Sequence, residues 1–240
     1  NSGGVPATGI SESTLALPFS IVGGTCTPLG SIAAGTTCNI VVRFAPTAAG
    51  TVVYGETITL GYNNGVGAAA PATAAVDGTG KDPATITVVA SPDTFAFGTR
   101  AIGSTTVYTL TLRNDGAFDA TNINGAAFGL ADYTFSGGAF PGGGGCSAGG
   151  TLVPAGTCTF RVAFDPAGAP GSRNDTITIT YDDGTGATNS TQNITGAAAN
   201  PANIVVTSAE ADPYDFGTRA NGSTTTHASF TIENQGSVNA

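Results

Sequence analysis

One nine-residue segment occurs twice in this chain: CNIVVRFAP at 38–46 returns as CTFRVAFDP at 158–166, an offset of 158 − 38 = 120. A period of that length is the size of one domain, so the chain is expected to fold as successive copies of one unit. Each copy has a second cysteine twelve positions earlier, Cys26 and Cys146. Each also runs on into a Thr-rich stretch with an Asn or Asp turn, TITLGYNNG at 57–65 and TITITYDDG at 176–184. A second landmark repeats too: TFAFGTRAIGSTT at 94–106 and YDFGTRANGSTT at 214–225, followed by TLTLRNDG at 109–116 and FTIENQG at 230–236.

Boundaries are expected at Asp82-Pro83 and Asn200-Pro201, because the residue before a proline is pushed out of helical geometry and a new β-rich run follows each. Residues 82–200 then form a complete unit, 1–81 the later part of another, and 201–240 the earlier part of a third. Aligning Asn234 on Asn114 sets Ala240 opposite Ala120, and aligning Cys26 on Cys146 sets Asn1 opposite Thr121. On this arithmetic the end of the chain continues into its beginning without a gap.

Within 158–164, alternation puts Cys158, Phe160, Val162 and Phe164 on one face and Thr159, Arg161 and Ala163 on the other. The first row is the expected core row, and its counterpart is Cys38, Ile40, Val42 and Phe44. Ile58, Leu60 and Tyr62 match Ile177, Ile179 and Tyr181, and Tyr108, Leu110 and Leu112 form a third inward row. Phe97 and Phe216 are expected core anchors. Asn63-Asn64-Gly65 and Asp182-Asp183-Gly184 read as hairpin turns, since Asn and Asp tolerate positive φ and Gly adopts it at no steric cost. With 36 glycines, 13 prolines and no Ala/Leu/Glu/Lys run at helical spacing, the fold class is all-β.

Four cysteines allow three pairings. Repetition of one device in each unit favours Cys26–Cys38 with Cys146–Cys158, closures that stabilise a unit by roughly 2–3 kcal/mol and imply an oxidising compartment. A metal site is not expected: the cysteines lack short Cys-x-x-Cys spacing and have no histidine nearby.

Two motifs carry a resemblance over essentially the whole chain. One is Phe-Gly, then Gly-Ser-Thr-Thr, an alternating strand and Asn-x-Gly, at Phe97 to Gly116 and Phe216 to Gly236; the other is Gly-Thr-x-Cys (Gly-Thr-Cys in the second copy), an alternating strand and Phe-x-Pro, at Gly35 to Pro46 and Gly156 to Pro166. In these the chain resembles the hydin-like immunoglobulin-type repeats, especially those of bacterial surface proteins called choice-of-anchor D proteins. The resemblance implies tandem sandwiches of seven or a similar number of strands, used as building or spacing modules of long exported proteins, and it brings no catalytic residues. One departure is a Gly-rich insertion, GGAFPGGGGC at 137–146.

The chemistry-bearing residues are few. His227 is the single histidine, and in THASFTIE the inward row is Ala228, Phe230 and Ile232, which turns His227 outward. No nucleophile-elbow sequence accompanies it, so no hydrolase arrangement is expected. Asp182-Asp183 and Asp212 with Asp215 are the only dense carboxylates, read as turn formers rather than a glycosidase or calcium pair. Lys81, the sole lysine, is not expected to form a Lys–Asn cross-link. The tripeptides starting at Asn174, Asn189, Asn193 and Asn221 fit the N-glycosylation pattern. A net charge of −9 provides no basic surface for nucleic acid, and no run approaches the ~18 apolar residues of a membrane-spanning helix.

The expected function is therefore structural: no enzyme, no cofactor and no metal, but a repeat building an extracellular or cell-surface filament, fibre or stalk. Its partners are copies of itself head to tail, or adjoining repeats of one long chain. The alternative is an adhesin-type module binding a glycan or host protein through loop residues Tyr133, Phe135 and Phe140.

Overall fold

A computed structural model describes residues 1–26, 30–89, 95–207, 214–226 and 230–239. The chain divides into two compact units, Asn1–Pro83 and Ala84–Ala240, each of which is described by itself. Every described element is a strand, and among the described residues no helix is long and apolar enough to cross a membrane.

The first unit contains β1 (Ala7–Glu12), β2 (Phe19–Gly24), β3 (Ser31–Ile32), β4 (Ile40–Phe44), β5 (Val52–Asn63) and β6 (Ala72–Gly80). They form a four-stranded sheet in the order β3-β1-β5-β6 and a separate pair, β2-β4. Val52 to Asn63 stay extended because their turn is chemically specified. The Asn63 carboxamide accepts from the Gly65 amide at 2.8 Å and the Asn64 carboxamide from Val66 at 3.0 Å, while Gly65 takes φ 93°.

The second unit contains β7 (Ile86–Val89), β8 (Phe95–Ala101), β9 (Thr106–Asn114), β10 (Ala120–Gly125), β11 (Tyr133–Phe135), β12 (Gly150–Leu152), β13 (Thr157–Phe164), β14 (Gly171–Asp182) and β15 (Ala187–Ala199). Two short strands follow, β16 (Ile204–Val206) and β17 (Ile232–Asn234). A five-stranded sheet, β12-β10-β14-β15-β8, and a four-stranded sheet, β11-β13-β9-β7, enclose one core. All neighbours are antiparallel except β15 and β8, which run parallel. β16 and β17 form a two-stranded ladder with Ile204 opposite Asn234 and Val206 opposite Ile232.

The alternation expected along 158–164 is present. Phe160, Val162 and Phe164 are buried, Arg161 is exposed, and Cys158 is partly buried. Ala163 departs from it, because β13 is an interior strand and Ala163 lies in register between Val107 and Thr134. Phe97 is a core anchor as expected, edge-on to Tyr108 at 5.1 Å and Tyr133 at 5.3 Å. Phe216 is half-exposed beside Tyr214, at 4.8 Å, with no second sheet described over the β16-β17 ladder. Phe230 and Ile232, expected on an inward row, are exposed for the same reason. His227, Ala228 and Asp212 lie outside the described residues.

Both disulfides pair as expected, Cys26 with Cys38 and Cys146 with Cys158. The expected loop patch, in contrast, is interior. Tyr133, Phe135 and Phe140 are only 2%, 6% and 9% exposed. The Gly-rich insertion folds back onto β13, with the Ser136 amide donating to the Arg161 carbonyl at 3.0 Å and the Arg161 amide to the Pro141 carbonyl at 2.9 Å. A Cβ on Gly142 would meet the Ser136 nitrogen at 2.9 Å, so this tight return needs glycine. The loop thereby inserts Phe140 between Phe135, at 5.5 Å, and Phe160, at 6.1 Å. These aromatics are packing residues and offer no concave exposed face to a ligand.

Candidate functional site

The dense carboxylates behave as turn residues. Asp183 accepts from the Thr185 hydroxyl at 2.7 Å and the Thr185 and Gly186 amides, and these bonds hold its carboxyl below the usual range. Asp182 accepts from Gly184, and Asp215 from Gly217. Among the described residues no three His, Cys, Asp or Glu side chains gather as a metal site would require. Lys81 and the four glycosylation-pattern asparagines are exposed.

What distinguishes the molecule is that one sandwich is closed while matching pieces elsewhere in the chain are open. Strand order makes β1, β3, β5 and β6 the counterparts of β10, β12, β14 and β15, and makes the pair β2-β4 the counterpart of β11-β13. The described part of the first unit has no counterpart of β7, β8 or β9. A groove of about 400 Å³ lies between the 1–7 segment, through Asn1, Val5 and Pro6, and the apolar side chains of Ile10, Ile32, Leu60 and Tyr62. The β16-β17 hairpin, in turn, repeats the β7-β9 pairing, since Ile86 faces Asn114 and Val88 faces Leu112 in that ladder. Ile86, Val88 and Leu112 are 2%, 9% and 0% exposed, whereas Ile204, Val206 and Ile232 are 53%, 61% and 68% exposed. An apolar row that is core in one setting is therefore solvent-facing in the other.

Asn114 joins hairpin to groove in the closed sandwich. It is fully buried, and its carboxamide oxygen accepts from the Thr85 amide at 3.1 Å and the Gly116 amide at 3.0 Å. Its Nδ2 donates to the Phe118 and Leu152 carbonyls at 2.8 and 2.9 Å. Its own amide donates to Gly156 at 3.1 Å and its carbonyl accepts from Ala155 at 2.9 Å.

Two other asparagines each repeat part of this set, and they share its Gly116-type bond: the Asn1 Oδ1 accepts from the Gly3 amide at 3.0 Å, as the Asn234 Oδ1 does from Gly236. Asn1 makes the groove half: Nδ2 to the Val5 and Ile32 carbonyls at 2.9 and 3.0 Å, its nitrogen to Thr36 at 2.9 Å, and its carbonyl from Gly35 at 2.9 Å. Asn234 makes the hairpin half: its Oδ1 accepts from Asn203 at 3.0 Å and Gly236 at 3.0 Å, and its Nδ2 donates to Val238 at 2.8 Å.

This equivalence corrects the end-to-end arithmetic. Asn1 corresponds to Asn114, not to a neighbour of Thr121. Thirty-two residues separate Asn114 from Cys146 and twenty-five separate Asn1 from Cys26, so an alignment anchored on the cysteines carries the Gly-rich insertion into the N-terminal segment. The segments starting at Asn1 and at Asn234 are two copies of one connector. Three of the chain's Asn-x-Gly triplets carried the available signal: NSG at 1–3, NDG at 114–116 and NQG at 234–236.

Residues 87–197 match the model of the HYDIN/CFA65/VesB-like, Ig-like domain. No curated protein matches the chain. Among solved structures, the VesB protease of Vibrio cholerae is 19% identical over 48% of this chain, with a TM-score of 0.35, and the chain spans 31% of the VesB chain. The ASH/PapD-like domain 7 of human CEP192 is 18% identical over 50% of this chain and 88% of that domain, with a TM-score of 0.36. Domains 4 and 5 of the S-layer protein SbsC are 14% identical over 79% of this chain and 98% of theirs, with a TM-score of 0.28.

Proposed function

Residues 87–197 belong to the HYDIN/CFA65/VesB-like Ig-like domain family, and on that premise we propose that this chain is a structural repeat of an extracellular filament, fibre or surface stalk. In this reading the chain divides into 1–81, 82–200 and 201–240, and the outer parts are completed by neighbouring subunits or by continuing tandem repeats. The observation that carries it is that Asn1 alone repeats the Leu152-side bond of Asn114 and Asn234 alone its Thr85-side bond, alongside a groove and a strand pair that each repeat one part of the closed sandwich. Edge hydrogen bonds and a shared apolar core are the physics of strand complementation. Because the groove and the hairpin are different surfaces, their contact is heterologous and generates an open filament unless rotation closes it.

The role is non-enzymatic and needs no cofactor. Two disulfides support an oxidising, extracellular or cell-surface location. The adhesin alternative loses its motivation with the burial of Tyr133, Phe135 and Phe140.

Negative-stain electron microscopy of native material, paired with the intact mass of the dissociated, reduced polypeptide, tests the proposal. Filaments whose polypeptide is close to 23.4 kDa identify strand-complemented subunits. A much larger polypeptide identifies a covalent tandem array. Dispersed particles with no filament at any concentration overturn the filament role.

A further inference from the structure

Three asparagines in this chain are followed directly by glycine: Asn64, Asn124 and Asn221. That pair is chemically special, because a glycine with no Cβ lets its backbone nitrogen approach the preceding carboxamide carbon with little obstruction. We infer that Asn64 is a self-modifying residue, whose carboxamide is exchanged for a carboxylate by water alone, and that the turn around it selects α-linked aspartate as the product.

The second unit shows why the turn accepts that product. In the β5-β6 turn the Gly65 amide donates to the Asn63 Oδ1 at 2.8 Å, and the Val66 and Gly67 amides donate to the Asn64 Oδ1 at 3.0 and 3.3 Å. In the β14-β15 turn the Gly184 amide donates to the Asp182 Oδ1 at 2.9 Å, and the Thr185 and Gly186 amides donate to the Asp183 Oδ1 at 2.8 and 3.1 Å. The Asn64 amide reaches the Gly67 carbonyl, and the Asp183 amide the Gly186 carbonyl, at 3.1 Å in both turns, and Gly65 and Gly184 take φ 93° and 92°. Each side-chain bond in the first turn is accepted by an oxygen, so loss of the Asn64 Nδ2 breaks none of them. Asn63, Asn64, Gly65 and Val66 are exposed, which gives water access to the reacting atoms.

The turn also assists the reaction. The Gly65 nitrogen gives up its proton to hydroxide and attacks the Asn64 Cγ, and negative charge passes to Oδ1. The Val66 and Gly67 amides already point at that oxygen, and donors aimed at a developing oxyanion lower its energy. A new C–N bond closes a five-membered imide, the Cγ–Nδ2 bond breaks, and the nitrogen leaves as ammonia with its third hydrogen drawn from water. Water then adds to the imide. Opening the bond from the Gly65 nitrogen to Cγ restores the original backbone with a side-chain carboxylate. Opening the bond to the backbone carbonyl carbon instead leaves isoaspartate, whose chain runs through the side chain and is one methylene longer. The closed turn disfavours the longer chain, since the Ala69 amide to Tyr62 carbonyl bond at 3.0 Å and the Asn63–Ala68 bridge fix the length between them. Asn124 lacks this freedom: it lies within β10, and Gly125 is packed so that a Cβ there would collide with Phe135 and Phe140. Each conversion at Asn64 adds one negative charge to an exposed turn.

The test incubates the full-length chain at mildly alkaline pH in water enriched in the heavy oxygen isotope, then maps it by trypsin and mass spectrometry. Cleavage at Arg43 and Lys81 isolates residues 44–81 with Asn64, and cleavage at Arg113 and Arg161 isolates residues 114–161 with Asn124. The expected result is heavy oxygen entering at residue 64 many-fold faster than at residue 124. Aspartate should predominate over isoaspartate at 64 in the folded chain but not in a synthetic peptide of residues 58–70. The variant Asn64→Asp should retain the hydrogen-exchange protection of the Val66, Gly67 and Ala69 amides. A rate at 64 no greater than at 124 overturns the site. Isoaspartate in the peptide's proportion, or lost protection in Asn64→Asp, overturns the selection by the turn.

Discussion

The same strand, written twice, ends in two different states. Along 158–164 the alternating row Phe160, Val162 and Phe164 is sealed, while its copy Ile40, Val42 and Phe44 is only half-buried, although the two rows occupy matching positions in the repeated sequence. The neighbouring rows repeat the contrast: Ile177, Ile179 and Tyr181 are buried, and Ile58, Leu60 and Tyr62 are half-buried. The strand chemistry is shared, but the covering layer is not. β13 has β11 on one side and β9 on the other, whereas β4 is paired with β2 alone. An amphipathic strand thus specifies which face seeks cover, and the cover has to come from other strands.

The largest expected effect is on the sealed row. Phe160→Ala should cost about 3–5 kcal/mol, the range for emptying a packed aromatic site, whereas Ile40→Ala in the open copy should cost well under half of that. Hydrogen exchange read separately over 157–164 and 40–44 distinguishes them. Equal losses in the two strands would break the comparison, because they would mean that the open unit is as well packed as the closed one.

A smaller contrast lies in the asparagines. Asn114→Ala leaves the Leu152 carbonyl and the Thr85 and Gly116 amides without their partner, at a cost of about 3 kcal/mol for the buried group. Asn1→Ala breaks a more exposed set and should cost about 1 kcal/mol or less. Urea titration with probes in each unit measures both.

The smallest effect is a pH dependence confined to the closed unit. Tyr133 is pushed up to about 12, chiefly by burial, with Asp175 and Asp132 adding and Arg173 opposing. Its folded value therefore exceeds the ordinary 10.0. Below pH 10 the hydroxyl is protonated in both states; between about 10 and 12 the unfolded chain releases a proton that the folded one retains, so stability is lost as pH rises through that window. Tyr133→Phe should flatten this slope, while losing the 2.9 Å bond to the Arg173 carbonyl. The first unit has Phe19 at the corresponding register, opposite Phe44 as Tyr133 is opposite Phe164, and should show no such slope from that position. Stability against pH for the wild type and Tyr133→Phe, followed by exchange in each unit, checks the assignment.

The all-β class, the inward rows of 158–164 and 177–181 and the two disulfides were legible because each depends on local period or on a repeated device. Tyr133, Phe135 and Phe140 were misplaced because a Gly-rich stretch reads locally as an exposed loop; only the return of that loop onto β13 shows that it delivers an aromatic ring to the core. Phe216 differs for another reason. Its motif is that of Phe97, but the layer that buries Phe97 is not described around it.

By itself the sequence determined the strands, their faces, their turns and the repetition of one unit, because alternation, Asx turns and cysteine spacing act within a few residues of one another. Tertiary structure alone decided which copies of those faces are core. Burial depends on strands distant in the chain arriving on the opposite side, and a hydrogen-bond set such as that of Asn114 exists only where hairpin and groove meet.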